Sequence, residues 1–426
     1  MGIKKLNTFL SNKKLYKNYT YLTDLINELK LDKNKLFIGI DGNLFCYKYS
    51  YSYENMLIGF YNQILQFLSY GYYPFYIFDG GSVVEKELTI NNRNKKKENN
   101  KNKLDKIDKI LLESTDINLN EDEFEHLLLL KKKIEKNTIK ISLLEIKKVI
   151  ELLDILNIPY IFSHGEGEYL AVLLNQYNII DIFLSDDTDP IPAGINHIMK
   201  FNNNIVSYLN VKNVLKSLDI TQEQMCDFSI LLGTDYASFH HNIKPEYIFE
   251  KIYTKKTIEN FIDDIIDDII LNDINNNDEN TNNKKKNLIK IIDKIRNIYY
   301  NSPNNERLLL INSVLNNDEK IQFNITNFNI NNYNNFNKKN LDYSSNVILE
   351  FMEDIINILY KPLENINYDE LINDTLVLKH NMINFIKKKK FNIKNIIKFL
   401  KENIKDITDY ELNNTINSFE YLNTFN

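Results

Sequence analysis

The stretch Leu36-Phe-Ile-Gly-Ile-Asp41 is a short, uninterrupted apolar run that ends in an aspartate followed by glycine. Phe75-Tyr-Ile-Phe-Asp79 repeats this pattern. Two further apolar runs, Pro159–Phe162 and Ile182–Leu184, each follow a segment with helical spacing. Continuous apolar runs that alternate with helices are typical of buried parallel strands covered on both faces. The sequence therefore predicts a three-layer α/β fold built on a parallel sheet.

Acidic residues follow all four predicted strands. Ligands of parallel sheets collect outside the carboxyl ends of the strands, so acids at these positions face one crevice. Hard cations such as Mg²⁺ prefer oxygen ligands, and carboxylates supply them. The sequence predicts a divalent metal site at this edge of the sheet. Its candidate ligands are Asp41, Asp79, Glu166, Glu168, Asp187 and Asp189.

Each of these acids also has a purely structural explanation when it is considered alone. An Asp-Gly pair after a strand is an ordinary turn. The Ser163–Glu166 segment matches a helix capping box, and Ser185–Asp189 could cap and start a short turn. Turn chemistry readily explains one or two acidic strand ends but not four of four. Recurrence therefore favours the metal site.

Composition excludes several classes of protein. The chain has 426 residues and is 43% apolar, enough for a substantial core and for two or three structural units. Its net charge of −6 is not that of a protein that only coats nucleic acid. No apolar run suits a signal peptide or a membrane span, so we expect an intracellular protein. Cys46 and Cys226 lack the spacing of a disulfide framework or a zinc site.

The chain divides into a core that is interrupted by a long insertion and followed by a mostly helical region. The insertion begins with a polar, strongly basic stretch, which predicts either a functional flap or disorder. Asn-rich low-complexity stretches in the C-terminal region predict loops. The predicted boundaries are 1–83 and 141–255 for the core, 84–140 for the insertion and 256–426 for the C-terminal region, with loops near 272–287 and 324–340.

The order of these motifs resembles that of the flap endonuclease family, which includes the XPG-type repair nucleases. The matching segments are Met1–Leu6, Ile38–Asp41, Tyr76–Gly80, Asn157–Tyr160, Glu166–Glu168, Asp187–Asp189 and Leu231–Tyr236. The resemblance covers about residues 1–255 and implies a PIN-like nuclease core. It adds Asp235 to the six acids and implies that all seven are direct or water-mediated ligands of two Mg²⁺ or Mn²⁺ ions. Two such ions suit phosphodiester hydrolysis, because they activate water and neutralise the departing oxygen.

The resemblance also implies contacts with DNA. The insertion aligns with the family's helical arch, under which a single-stranded 5′ flap threads. Lys86 and Arg93 have the spacing of the family's residues that contact the scissile phosphate. Tyr47 matches an aromatic residue that stacks on the base next to the cut, although a core position is an equal alternative in this tyrosine-rich chain. Gly2 and Lys244 are further candidates for DNA binding.

Two departures from the family pattern concern binding, and a third places Gly167 and Tyr169 where the family has small Ala-type residues. Asn242-Ile-Lys-Pro245 replaces the Gly-Ile-Gly-Pro of a helix-hairpin-helix, which implies altered duplex binding and no potassium coordination there. The C-terminus lacks a sliding-clamp motif, and Gln322–Phe328 is only a partial match. The heavy use of Asn, Ile, Lys and Tyr and the absence of Trp indicate AT-rich coding. Together with these departures and the complete set of seven acids, this bias resembles the poxvirus branch. That branch implies the host cytoplasm as the location, and the other branches imply the nucleus.

The resemblance implies a structure-selective 5′ nuclease that cuts DNA at flaps, nicks or ends during replication, recombination and repair. Its partner would be DNA with single-strand/double-strand junctions. Two alternatives remain open, a junction-binding scaffold with weak nuclease activity and a PIN-like RNase. Retention of all seven acids speaks against the scaffold. Lys86 and Arg93 in a long arch favour DNA over RNA.

Overall fold

The fold is a seven-stranded sheet with helices packed on both faces. The computed structural model describes residues 2–3, 5–31, 36–53, 55–80, 86–112, 121–202, 205–236, 239–240, 243–265, 270–271, 281–315, 351–361, 363, 367–388, 391–404, 407 and 417–418. Among the helices of this part of the chain, none combines the length and the hydropathy needed to span a bilayer.

The central strands of the sheet are parallel, as predicted. The strands are β1 Lys17–Tyr19, β2 Phe37–Asp41, β3 Tyr73–Phe78, β4 Tyr160–Phe162, β5 Ile182–Leu184, β6 His197–Asn202 and β7 Ile205–Asn210, and a separate pair is β8 Phe239–His240 with β9 Ile270–Leu271. The order in the large sheet is β1-β7-β6-β5-β2-β3-β4. All neighbours from β6 to β4 pair in parallel.

One edge of the sheet lies beyond the four predicted strands and is antiparallel. Strand β7 pairs antiparallel with both β6 and β1. Only residues 203–204 separate β6 from β7, and so short a connection can join only antiparallel strands, because parallel strands need a long crossover. Strands β1, β6 and β7 were not predicted from the apolar runs.

Helices account for most of the remaining described residues. Their bounds are α1 Leu6–Asn12, α2 Leu22–Leu29, α3 Gly42–Ser52, α4 Met56–Ser69, α5 Glu87–Leu112, α6 Glu121–Thr138, α7 Leu143–Ile155, α8 Gly167–Gln176, α9 Val211–Leu218, α10 Gln222–Leu232, α11 Pro245–Lys255, α12 Ile262–Ile265, α13 Thr281–Leu315, α14 Met352–Tyr360, α15 Tyr368–Lys388 and α16 Ile393–Asn403. A single 3₁₀ turn lies at Ile258–Asn260.

Two apolar cores lie on opposite faces of the sheet, which confirms the three-layer architecture. Side chains alternate between the faces along each strand. In β2, Phe37 packs into the core that holds α8, α10 and α13, while Ile38 and Ile40 pack into the other core. In β3, Phe75 and Tyr76 divide in the same way.

The insertion and the C-terminal region are both rich in helix. Helices α5 and α6 of the insertion pack against each other, and Lys131 Nζ lies 2.6 Å from Asp108 Oδ1 between them. Helix α13 begins at Thr281, so the last seven residues of the loop predicted over 272–287 are helical instead. Their Asn/Lys composition suggested a loop, but the helix is anchored farther along by buried apolar residues. The predictions for 324–340, Gln322–Phe328 and Asn242 lie outside the described residues.

Candidate metal centre

The predicted acids gather at one edge of the sheet because their strands are neighbours. The chain runs outward from β2 through β3 to β4 and then returns to β5 on the other side of β2. Such a reversal of strand order opens a crevice at the carboxyl ends of the strands. Asp41 ends β2, Asp79 follows β3, and the remaining pairs follow β4 and β5.

Glu168, Asp187 and Asp189 form the tightest group. One carboxylate oxygen from each lies within 4.8 Å of the others, a spacing that can hold a metal ion. Asp187 is oriented by its own turn, since its Oδ1 accepts the Thr188 amide at 2.7 Å and the Asp189 amide at 3.3 Å. Buried Glu168 Oε2 and Asp189 Oδ2 have no hydrogen-bond partner among the described residues. Buried acceptors without partners fit a cation, because burial otherwise penalises them.

Asp41 and Asp79 are each anchored beside this group. Asp41 caps α3, where its Oδ1 accepts the Leu44 amide at 2.9 Å, and its Oδ2 accepts the Ser185 hydroxyl at 3.0 Å. Asp79 Oδ1 accepts the Gly167 amide at 2.7 Å. The capping role and the site position therefore coexist in Asp41, because its two oxygens point to different partners.

The segment after β4 is not the capping box that its sequence allows. Helix α8 begins at Gly167 with Glu166 as its N-cap, and no side chain caps it. The Ser163 hydroxyl donates to the Gly165 carbonyl at 2.6 Å. Glu166 Oε2 instead accepts the Tyr236 hydroxyl at 2.7 Å, which turns this acid toward the other carboxylates.

Burial and mutual repulsion raise the pKa values of the clustered acids. Burial and then the charge of Asp79 raise the pKa of Asp41 to about 7. Burial is also the largest cause for Asp79, whose pKa rises to about 6. Burial and then Asp187 raise the pKa of Asp189 to about 8 and that of Glu168 well above its ordinary value. Crowded acids with raised pKa values are typical of functional sites.

Both basic residues predicted for phosphate contact meet the acids. Lys86 Nζ lies 2.9 Å from Glu166 Oε2 and 3.7 Å from Asp189 Oδ2, and its side chain is only 12% exposed. Burial alone would lower the pKa of Lys86, but the surrounding carboxylates hold it well above its ordinary value. Arg93 forms an ion pair with Asp235 and keeps 43% of its side chain exposed.

The three residues predicted to bind DNA occupy different environments. Gly2 packs on the acidic turn, where a Cβ would lie 1.9 Å from Asp187 Oδ1. Tyr47 is half-buried in α3, with the ammonium of Lys97 5.2 Å from its ring centroid. Lys244 is exposed where α11 begins, and none of the described contacts joins it to the carboxylates.

A group of three buried tyrosines behind the acids was missed by the sequence analysis. The hydroxyls of Tyr169 and Tyr236 are hydrogen-bonded to each other. Tyr299 packs edge-on to both rings and donates to Asp189 Oδ1 at 3.4 Å. Tyr169 and Tyr236 stand next to predicted ligands, which was a usable signal. Tyr299 carries no local signal, because it joins the site only through the packing of α13.

Known proteins resemble the chain in this region. The XPG I-region family matches residues 157–235, which contain five of the seven acids. The chain is 27% identical over 309 residues to Probable RAD2-like endonuclease 369L of Invertebrate iridescent virus 6, covering 61% of this chain and 73% of that protein. It is 25% identical over 282 residues to Flap endonuclease 1 of Entamoeba histolytica, covering 61% and 69%. The more specific assignment to a poxvirus branch stays a prediction.

One solved structure with a similar fold is the catalytic core of Rad2 in complex with a DNA substrate. Its TM-score is 0.47 at 20% identity, and the match covers 70% of this chain and 86% of that one.

Proposed function

We propose that the chain, which belongs to the flap endonuclease and XPG-type nuclease family, is a divalent-metal-dependent nuclease that hydrolyses DNA phosphodiesters at flaps, nicks or ends. One observation carries the proposal. Glu168, Asp187 and Asp189 converge within 4.8 Å, and buried oxygens of two of them lack hydrogen-bond partners. This arrangement costs stability unless a cation completes it.

The proposed ligands are the seven acids at the strand ends and after α10, with Mg²⁺ or Mn²⁺ as the ions. When bound, two such ions supply an activated water and stabilise the departing oxygen. The protein orients these acids through backbone bonds, as in the 2.7 Å contact between Asp79 and the Gly167 amide. Fixing the carboxylates before substrate arrives lowers the cost of reaching the reactive geometry.

Lys86 and Arg93 are proposed to hold the scissile phosphate. Lys86 lies at the carboxylates, where its ammonium balances their charge and can also meet a phosphate oxygen. Arg93 projects from α5 and is exposed enough to reach a ligand in the crevice. Its planar guanidinium can hold two phosphate oxygens, which a lysine cannot do.

DNA with an unpaired segment is proposed as the substrate. Helix α5 carries a basic surface beyond Arg93, with Lys95 and Lys96 exposed. Such a surface attracts the phosphate backbone. Tyr47 is half-buried near this helix and offers part of a ring on which a base could stack.

A substrate panel tests this function. The full chain is incubated with 5′-labelled flap, nick, gap, bubble and blunt DNA and with matched RNA, in Mg²⁺, in Mn²⁺ and in EDTA. We expect metal-dependent cleavage of junction DNA and no product in EDTA. Binding without a metal-dependent product would support the scaffold alternative, and cleavage of RNA alone would support the RNase alternative.

A further inference from the structure

A carboxylate from the C-terminal region is buried against the loop that ends at Glu166 and leads into helix α8, which carries Glu168. Glu306 on helix α13 is 4% exposed. Its Oε1 accepts the Gly165 amide at 2.7 Å, and its Oε2 accepts the His164 amide at 2.9 Å. Both contacts join residues more than 140 positions apart in the chain. Glu306 is therefore bound to the backbone immediately before Glu166.

The same loop is fixed from its other side by the end of β3. The Gly165 carbonyl accepts the Gly80 amide at 2.9 Å, and the Gly80 amide also lies 3.1 Å from Ser163 Oγ. The approach is close, since a Cβ on Gly80 would lie 1.8 Å from the Ser163 carbonyl oxygen. The loop thus lies between the end of β3 and Glu306, with its amides directed at the latter.

The burial of the Glu306 carboxylate has a desolvation cost that an apolar residue at the same position would not have. A buried carboxylate is tolerated when charge-assisted hydrogen bonds compensate its desolvation, and two backbone amides do so here. An apolar residue would leave these amides without their acceptor, so they would no longer hold the loop in one position. The local fit is also tight, because a Cβ on Gly165 would lie 3.0 Å from Glu306 Oε1.

Helix α13 reaches the site at a second point on the same face. Tyr299 precedes Glu306 by seven residues, which is close to two helical turns and places both side chains on one side of the helix. Tyr299 contacts Asp189, while Glu306 contacts the loop before Glu166. Helix α13 also packs along α8, which carries Glu168 in its first turn.

We propose that Glu306 is a positioning residue that sets the geometry of Glu166 and Glu168, so that the C-terminal region completes the metal site. The inference rests on the proposed nuclease function. It gives helix α13 a role in metal binding, although that helix supplies none of the seven proposed ligands.

The test compares three variants of the full chain. Glu306→Ala removes both acceptors. Glu306→Gln keeps the side-chain shape and one acceptor oxygen but turns an NH₂ group toward the other amide. Asn305→Ala is the matched control, because Asn305 is the exposed neighbour on the same helix. Binding of Mn²⁺ is measured by electron paramagnetic resonance without DNA, together with thermal melting and the kcat and KM for flap cleavage in Mg²⁺.

We expect Glu306→Ala to weaken Mn²⁺ binding and to lower kcat by about tenfold or more, the scale typical of outer-shell partners of metal sites. KM for DNA should change little. Glu306→Gln should fall between the wild type and Glu306→Ala, and Asn305→Ala should match the wild type. Wild-type Mn²⁺ affinity and kcat in Glu306→Ala, with only a lower melting temperature, would overturn the proposal.

The two proposals fail in different ways. If the wild type cuts no substrate, the nuclease proposal fails, while the Mn²⁺ titration still reports whether Glu306 positions the acids. If Glu306→Ala does not fold, Glu306→Gln carries the test. Wild-type Mn²⁺ affinity together with wild-type kcat in Glu306→Gln would then reject the positioning role.

Discussion

The two ends of strand β5 carry acids in opposite electrostatic conditions. Before the strand, both oxygens of Asp181 have partners, with Lys379 Nζ at 2.8 Å from Oδ1 and the Phe37 amide at 2.9 Å from Oδ2. After the strand, Asp189 Oδ2 is buried without a hydrogen bond, and Asp187 lies nearby with the same sign of charge. Lys86 Nζ is 3.7 Å from this oxygen and closer to Glu166, so one lysine is shared among several acids.

Under the proposed function, this difference separates an acid that stabilises the fold from acids that bind a metal ion. A buried ion pair with satisfied oxygens needs nothing further. A buried cluster of like charges destabilises the fold unless a ligand such as a cation binds to it. Acids with strongly raised pKa values are therefore typical of functional sites. Substitutions at the two ends of β5 should therefore affect different measurements.

The largest effect is expected at the end with clustered acids. Asp187→Asn should lower kcat for flap cleavage by at least about 10⁴-fold, the scale seen when a catalytic group of a hydrolase is removed. Binding of flap DNA should be retained, because the basic surface of α5 is unchanged. Rates come from labelled flap cleavage and affinities from fluorescence anisotropy.

Asp186→Asn is the matched control for this substitution. Asp186 is the exposed neighbour of Asp187 and pairs with Lys48 at 3.0 Å. Its cleavage rate should equal that of the wild type. Full activity in Asp187→Asn would remove the distinction between the two ends of β5.

At the Asp181 end of β5, a substitution should lower stability and leave catalysis unchanged. Lys379→Met removes the cation paired with Asp181, whose side chain is only 16% exposed, and we expect a loss of about 1.5–3 kcal/mol of unfolding free energy, the contribution of a hydrogen bond to a charged group. Urea unfolding measures this loss. At a temperature where the variant is folded, kcat should equal that of the wild type.

Lys398→Met provides the comparison for Lys379→Met. The side chain of Lys398 is 74% exposed and its ion pair is on the surface, so no measurable loss is expected. A fall in kcat in Lys379→Met without any loss of stability would contradict a purely structural role for Asp181.

An intermediate effect on catalysis is expected at Arg93, which pairs with Asp235 and is also exposed to solvent. Arg93→Ala should reduce kcat by about 10- to 100-fold, because a hydrogen bond to a charged group contributes about 1.5–3 kcal/mol. Arg93→Lys should recover only part of this loss, since it cannot hold two oxygens. Lys96→Ala on the same helix should raise KM and leave kcat unchanged, and an equal fall in kcat in both variants would argue against a specific contact.

The last comparison concerns a pH dependence of the metal-free protein. Because the pKa of Asp189 is raised to about 8 in the folded state from an ordinary value of 3.8, the folded protein holds this proton more tightly than the unfolded chain. The stabilisation is fully present below about pH 4 and is lost as the pH rises through about 8. Melting in EDTA should show this decline, and Asp189→Asn should make it shallower, while the raised pKa values of Asp41, Asp79 and Glu168 maintain the rest.

Addition of Mg²⁺ near the upper end of this range should restore stability in the wild type, because binding to the folded state shifts the unfolding equilibrium. Superimposable pH profiles of the wild type and Asp189→Asn in EDTA would show that Asp189 does not contribute to the pH dependence of stability.

The sequence alone determined the parallel centre of the sheet and the position of the acids along the chain. Apolar runs and strand ends are local features, so Asp41, Asp79 and Asp187 were placed without any knowledge of distant contacts. Strands β6 and β7 were missed because Lys200 and Ser207 interrupt them, so neither is a continuous apolar run.

Only the tertiary structure decided which residues support those acids. Residues 281–287 have the composition of a loop, yet they begin a helix that is held by Leu288, Ile292 and Ile295 buried against the core. That packing brings Tyr299 to Asp189 and Glu306 to the loop before Glu166. Helical packing thus overrides local composition in this region. The hydrophobic periodicity of the sequence does not identify Tyr299 or Glu306 as part of the site. Each contacts a segment that is distant in the chain and comes close only when the sheet and its helices pack.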